Sequence, residues 1–136
     1  MDTNLLGRVA LVTGSSSGLG RAIAEALASE KASVIIKGRN SKKVSNTAYE
    51  IEHKHNHKIN AYQLTCDATN LQVEQLLNKV LTKIGQLDIL VNNVGNIETF
   101  GRFEDLTEED WQRSFELTCM SAVRFIRASL PYLKKS

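Results

Sequence analysis

The sequence predicts an α/β fold in which a parallel sheet is covered by helices on both faces. Apolar residues alternate along the whole chain between short continuous runs and helical spacing. Strict strand–helix alternation of this kind requires parallel strands joined by crossover helices. A loop with three glycines joins the first apolar run to the first helical stretch. At 136 residues, 42% hydrophobic and 24% charged, the chain reads as one globular domain. A domain of this size buries roughly 65–70% of its unfolded surface, enough for a real core.

Val9-Ala10-Leu11-Val12 is an apolar run with no polar alternation, as in a strand buried on both faces, and it ends in Thr13-Gly14. The first helix starts at about Gly18 and carries Ile23, Ala26 and Leu27 at helical spacing. Ser33 to Ile36 is a second strand, closed by Gly38-Arg39-Asn40, and Val44, Ala48 and Ile51 mark a second helix. Residues 59–65 form a weaker third strand, followed by Cys66-Asp67. The cleanest helix is 73–84, where Val73, Leu76, Leu77, Val80, Leu81 and Ile84 make one apolar stripe. Leu87 to Val91 is the fourth strand. Thr107, with Asp110 three residues on, predicts an N-cap, and a long helix runs from about 108 onward.

Composition excludes several classes. Seventeen Lys plus Arg against fifteen Asp plus Glu leave +2, so neither a polybasic nucleic-acid arm nor an acidic tail is expected. The two cysteines, Cys66 and Cys119, are too few for a disulfide scaffold and fit a reducing, cytoplasmic compartment. No stretch approaches the ~18 apolar residues of a membrane span, and no signal peptide is visible. His53 and His57 would share a helix face, but no nearby Cys or carboxylate completes a metal set. They read better as a cationic helix C-terminus. Trp111, Phe115 and Leu117 read as core or helix-packing residues rather than a ligand cage.

The first strand–helix junction reads Thr13-Gly14-Ser15-Ser16-Ser17-Gly18-Leu19-Gly20. Glycines in this position permit a tight turn, close backbone approach to a pyrophosphate, and tight packing of helix on strand. The helix that follows aims its unpaired N–H groups at the same anion. The spacing is G-x-x-x-G-x-G and lacks the Gly-Lys-[Ser/Thr] of a P-loop, which argues against an ATPase or GTPase. No carboxylate stands between Glu30 and Glu50, where a NAD-binding chain usually places one for the ribose 2′-hydroxyl. Arg39 stands there instead, with Asn40 beside it and Lys37, Lys42 or Lys43 as auxiliaries. A guanidinium suits a 2′-phosphate, so NADP(H) is favoured over NAD(H).

With these residues in view, the chain resembles the short-chain dehydrogenase/reductase family from about residue 6 onward. TGSSSGLG is similar to the family's TGxxxGxG loop, and Asn92-Asn93-Val94-Gly95 to its NNAG motif. Cys66-Asp67-Ala68 falls where the family contacts adenine. The resemblance implies a Rossmann-type sheet of order 3-2-1-4, with Gly14 to Leu19 on pyrophosphate and ribose, Gly20 closing the loop motif, Asp67 and Ala68 on the adenine edge, and Asn93, Val94 and Gly95 on the ribose side. The residues leave other roles open: turn satisfaction for Asn92 and Asn93, and a cap before the 71–84 helix for Asp67. Ser17 departs from the basic residue that NADP-preferring relatives often carry there.

The family's catalytic set is a Tyr with a Lys four residues later, a Ser and an Asn. No Tyr-x-x-x-Lys occurs in this sequence, and Thr118 occupies the Asn position. A threonine hydroxyl cannot offer the donor and acceptor pair of an amide. It reads better as a helix hydroxyl bonded to the preceding turn. The family sheet continues past a fourth strand, so the sequence reads as a cofactor-binding portion that is inactive alone. The rival reading is a non-catalytic dinucleotide-binding or assembly module. Strand 87–91 is expected to form an exposed apolar edge. That predicts a homo-oligomer through this edge or the 108–135 helix (with Phe125, Ile126 and Leu130 as its apolar face), partial disorder near 93–106, or a further segment as partner.

Overall fold

The computed structural model describes residues 2–69, 71–94 and 100–136. Four strands, β1 (Val9–Val12), β2 (Ser33–Gly38), β3 (Ala61–Thr65) and β4 (Ile89–Val91), form one sheet in the order β3-β2-β1-β4. All pairings are parallel, with Leu11 opposite Ile35 on one side and Leu90 on the other. The helices are α1 (Gly18–Ser29), α2 (Ser41–Lys54), α3 (Val73–Ile84), α4 (Glu108–Phe115) and α5 (Ser121–Leu133).

Period-two alternation sends successive residues of each strand to opposite faces. Val12, Val34 and Ile36 meet Ala24, Ala28, Val44, Ala48 and Ile51 of α1 and α2 in one core layer. Leu11, Ile35 and Leu64 meet Leu77, Leu81 and Phe125 of α3 and α5 in the other. Each Val, Leu, Ile or Phe among them, fully buried, contributes about 1.5–3 kcal/mol. The continuous apolar reading of β1 therefore holds, because both of its faces are covered.

Several boundaries move for identifiable reasons. β3 begins at Ala61 rather than Ile59, because the ladder opens where Val34 N–H donates to the Asn60 carbonyl. β4 begins at Ile89 because Asp88 is engaged at the base of the sheet. Its carboxylate accepts from the Val9 N–H at 2.8 Å, Gln86 Nε2 at 2.6 Å and Arg8 Nη1 at 3.3 Å, and from the Ser136 hydroxyl. Burial alone would raise this carboxyl, but the hydrogen bonds outweigh it and hold Asp88 below the ordinary carboxylate range.

The expected long helix is interrupted. A π turn over Glu116–Met120 separates α4 from α5. The capping box at its start is present: Thr107 Oγ1 accepts from Asp110 N–H, and the Asp110 carboxylate accepts from Thr107 N–H. Phe125 does not belong to an outer apolar face; it is buried in the core, while Ile126 and Leu130 are exposed. Trp111 and Phe115 are exposed rather than core. The π turn inserts an extra residue and puts α4 out of phase with α5, so Trp111 and Phe115 do not share the buried side of Phe125; within α5, Ile126 and Leu130 are themselves rotated away from Phe125. β4 is the sheet edge as expected, with its residues half-buried. Within 93–106, residues 103–105 form a 3₁₀ turn, and 95–99 lie outside the described residues.

Candidate cofactor-binding site

The carboxyl ends of the four strands converge on one loop system. Thr13, fully buried, ties β1 to the chain leaving β4: its hydroxyl accepts from Asn93 N–H at 2.9 Å and Val94 N–H at 3.1 Å. The Asn93 amide donates to the Gly14 carbonyl at 3.3 Å, so the turn-satisfying role of this side chain is present. Ser15 is also buried, and its hydroxyl accepts from Lys37 N–H at 2.9 Å, fastening the loop to β2. Thr47 of α2 donates to the Ser16 carbonyl at 2.9 Å. Each of these bonds holds the loop from behind.

Gly14 and Gly18 take φ of +61° and +60°, a region that favours glycine. Gly20 serves close approach instead. A Cβ there would collide with the Gly14 carbonyl oxygen and lie 2.5 Å from Asn93 Nδ2. Ser17, the extended N-cap of α1, makes no side-chain capping bond, and the first turn carries no acid. The positive end of α1 is thus not neutralised from within the helix, which suits an anion.

Beside this loop lies a cavity of about 310 Å³. Gly14, Ser16 and Ser17 form one wall, and Lys37, Gly38 and Arg39 at the end of β2 form another. Ala68, Asn93, Val94 and Leu117 close it. The volume suits a nucleoside-sized group at the low end of ligand sites. Gly38 packs against the loop, with a Cβ there only 2.7 Å from Ser16 Oγ. Arg39 is exposed on the cavity rim.

Other expected site residues have local duties. Asn40 caps α2 by accepting from Lys43 N–H at 3.1 Å. Asp67 does not cap α3, whose N-cap is Gln72; its carboxylate accepts from Thr69 N–H at 3.0 Å and Thr69 Oγ1 at 2.9 Å. The Thr69 backbone bond leads in holding the Asp67 carboxyl below its ordinary value. Gly95 lies outside the described residues. Thr118 is exposed on the π turn, and among the described residues the hydroxyl that bonds the preceding turn there is Ser121, donating to the Leu117 carbonyl.

Sequence reasoning did not anticipate Leu117 as a cavity residue, because the π turn that presents it has no period of its own in the sequence. Lys37, expected as an auxiliary of Arg39, is 2% exposed and lines the cavity, whereas Arg39 is exposed on the rim. Alternation along β2 carries the signal, since residue 37 falls on the same face as buried Ile35. On the α2 C-terminus, the rings of His53 and His57 meet edge to face at 6.1 Å. No group of three potential metal ligands forms among the described residues.

The sequence profile of the short chain dehydrogenase family matches residues 8–136. The uncharacterized oxidoreductase YvaG of Bacillus subtilis is 42% identical over 130 residues, covering 96% of this chain and 47% of YvaG. Dehydrogenase/reductase SDR family member 4 of Caenorhabditis elegans is 33% identical over 129 residues, covering 95% of this chain and 49% of that protein. L-sorbose reductase of Gluconobacter frateurii, solved with NADPH and L-sorbose, superposes with a TM-score of 0.91 at 32% identity, covering 99% of this chain and 51% of that one. The chain spans about half the length of the curated relatives it matches.

Proposed function

The chain belongs to the short chain dehydrogenase family, and from that premise we propose that it holds NADP(H) at the carboxyl ends of its strands. It would do so as the cofactor-binding portion of an oxidoreductase acting on a carbonyl or alcohol. Arg39 on the cavity rim, following a glycine where a NAD-binding chain usually has a carboxylate, carries this reading. No acid at that position repels a 2′-phosphate, and the guanidinium offers it charge-assisted hydrogen bonds. The relative solved with NADPH lends support.

The loop from Gly14 to Gly20, with the positive end of α1, would hold the pyrophosphate. Ser16 and Ser17 face the cavity, whereas Ser15 acts through the backbone it positions. Asp67 and Ala68 would flank the adenine, and Asn93 and Val94 the ribose side. Asn40 would position Arg39 through its cap rather than by contact. The bound cofactor supplies or accepts the hydride. Thr118 stands where the family carries the Asn of its catalytic set. That observation favours a second reading, a module that binds the dinucleotide without turnover. Exposed Trp111, Phe115, Ile126 and Leu130 support self-association. Unpaired Cys66 and Cys119 suit a reducing cytoplasm.

Calorimetric titration with NADPH and NADH tests the reading. NADPH should bind about tenfold or more tightly than NADH, and Arg39→Ala should erase the difference. Unchanged NADPH affinity in Arg39→Ala would refute the cofactor assignment. Binding without turnover of any carbonyl or alcohol would support the second reading.

A further inference from the structure

Lys37 is the least accommodated charge among the described residues of the molecule. It is 2% exposed, yet among the described residues its Nζ makes no hydrogen bond or ion pair. An isolated buried ammonium is costly, and proteins that keep one ordinarily give it a partner. Its nearest compensation is the Phe125 ring, whose centroid lies 5.5 Å from Nζ, at the outer part of the cation–π range. Burial pushes the Lys37 ammonium below its ordinary pKa, and nearby Asp67 and the Cys66 thiol only partly oppose this, while Arg39 adds to it. Oδ1 of the Asp67 carboxylate accepts both Thr69 bonds, and among the described residues neither Asp67 oxygen is hydrogen-bonded to Lys37.

Place explains what the charge is for. Lys37 lines the cavity, and its Nζ is not among the fully enclosed, unpartnered polar atoms of the described residues. It therefore keeps accessible surface. Alternation along β2 puts it on the Phe125 side of the sheet, opposite the face where Gly38 meets Ser16. Ala68, Val94 and Leu117 give the cavity apolar walls suited to a flat ring.

We propose that Lys37 is a specificity residue of this cavity, its ammonium donating a hydrogen bond to an acceptor on the edge of the bound base. Arg39 then reads the 2′-phosphate and Lys37 reads the base. This rests on the dinucleotide reading above.

The two cations are separable by titrating wild type, Lys37→Met and Arg39→Ala with NADPH and with NADH, and by melting each protein without ligand. Lys37→Met should weaken both dinucleotides by a similar factor, about tenfold. Its unliganded Tm should be equal to or above that of wild type, because the substitution relieves an unpaired charge. Arg39→Ala should weaken NADPH selectively. Three outcomes overturn the proposal alone while wild type binds: Lys37→Met binding both dinucleotides like wild type, a loss confined to NADPH, or a lowered Tm with affinity unchanged. Wild type binding neither dinucleotide would overturn the cofactor reading and the proposal with it.

Discussion

At the amino ends of β1 and β4, the Asp88 carboxylate gathers the donors around it: the Val9 N–H, Arg8, Gln86 and Ser136. At the carboxyl end of the sheet, the chain leaving β1 turns on glycine and caps α1 with an extended serine that makes no capping bond, and β2 buries an ammonium with no hydrogen-bond or ion-pair partner among the described residues. The lower end is satisfied internally and can do nothing further. The upper end is left with donors and positive charge that the protein does not use, and such local departures from stability concentrate where a ligand is to be bound. One sheet thus separates holding together from binding.

The largest expected effect comes from filling the upper end. Gly20→Val places carbon where the Gly14 carbonyl and the Asn93 amide already stand, against backbone that cannot rotate away. It should cost about 3 kcal/mol in a denaturant titration and abolish dinucleotide binding. A Gly20→Val protein that binds normally would show that the close approach is incidental.

Next is the lower end. Asp88→Ala leaves the Val9 N–H unpartnered and should cost about 2 kcal/mol, with dinucleotide affinity unchanged. The effect should depend on pH. Because folding depresses the Asp88 pKa, its contribution is fully present above the unfolded carboxyl value of about 4 and is lost as pH falls through the folded value. The stability gap between wild type and Asp88→Ala should therefore be constant from neutral pH down to about 4 and close below it. A gap that widens in acid would reverse the assigned sign.

A smaller effect sharpens the boundary between the two roles. Asn40→Ala removes the α2 cap and should cost about 1 kcal/mol. If Asn40 acts only by positioning, NADPH affinity should fall far less than in Arg39→Ala.

Much of the upper end is legible in the sequence because its chemistry depends on residue types at fixed spacing. Gly14, Gly18 and Gly20 have no substitute there, and Arg39 is conspicuous where a carboxylate is expected. The first two strands are equally legible, since Val9–Val12 and Ser33–Ile36 leave no other way to bury their apolar runs, although the second extends to Gly38 in the fold. What escaped depends on tertiary placement. The π turn shifts helical phase without altering composition and brings Leu117 to the cavity, and only the docking of α5 on the sheet shows that Phe125, not Ile126 or Leu130, faces the core. Asp88 looks like an ordinary strand residue until the fold brings Arg8, Val9 and Ser136 to it. Lys37 reads as one more basic residue near Arg39 until the pleat turns it inward.

Backbone hydrogen exchange with and without NADPH compares both ends of the sheet in one experiment. Added NADPH should slow exchange at residues 14–20, 38–40, 67–69 and 93–94 and leave the amides of Val9 and Asp88 unchanged. Equal protection at both ends, or protection confined to the Asp88 end, would contradict the division of the sheet into a binding end and a holding end.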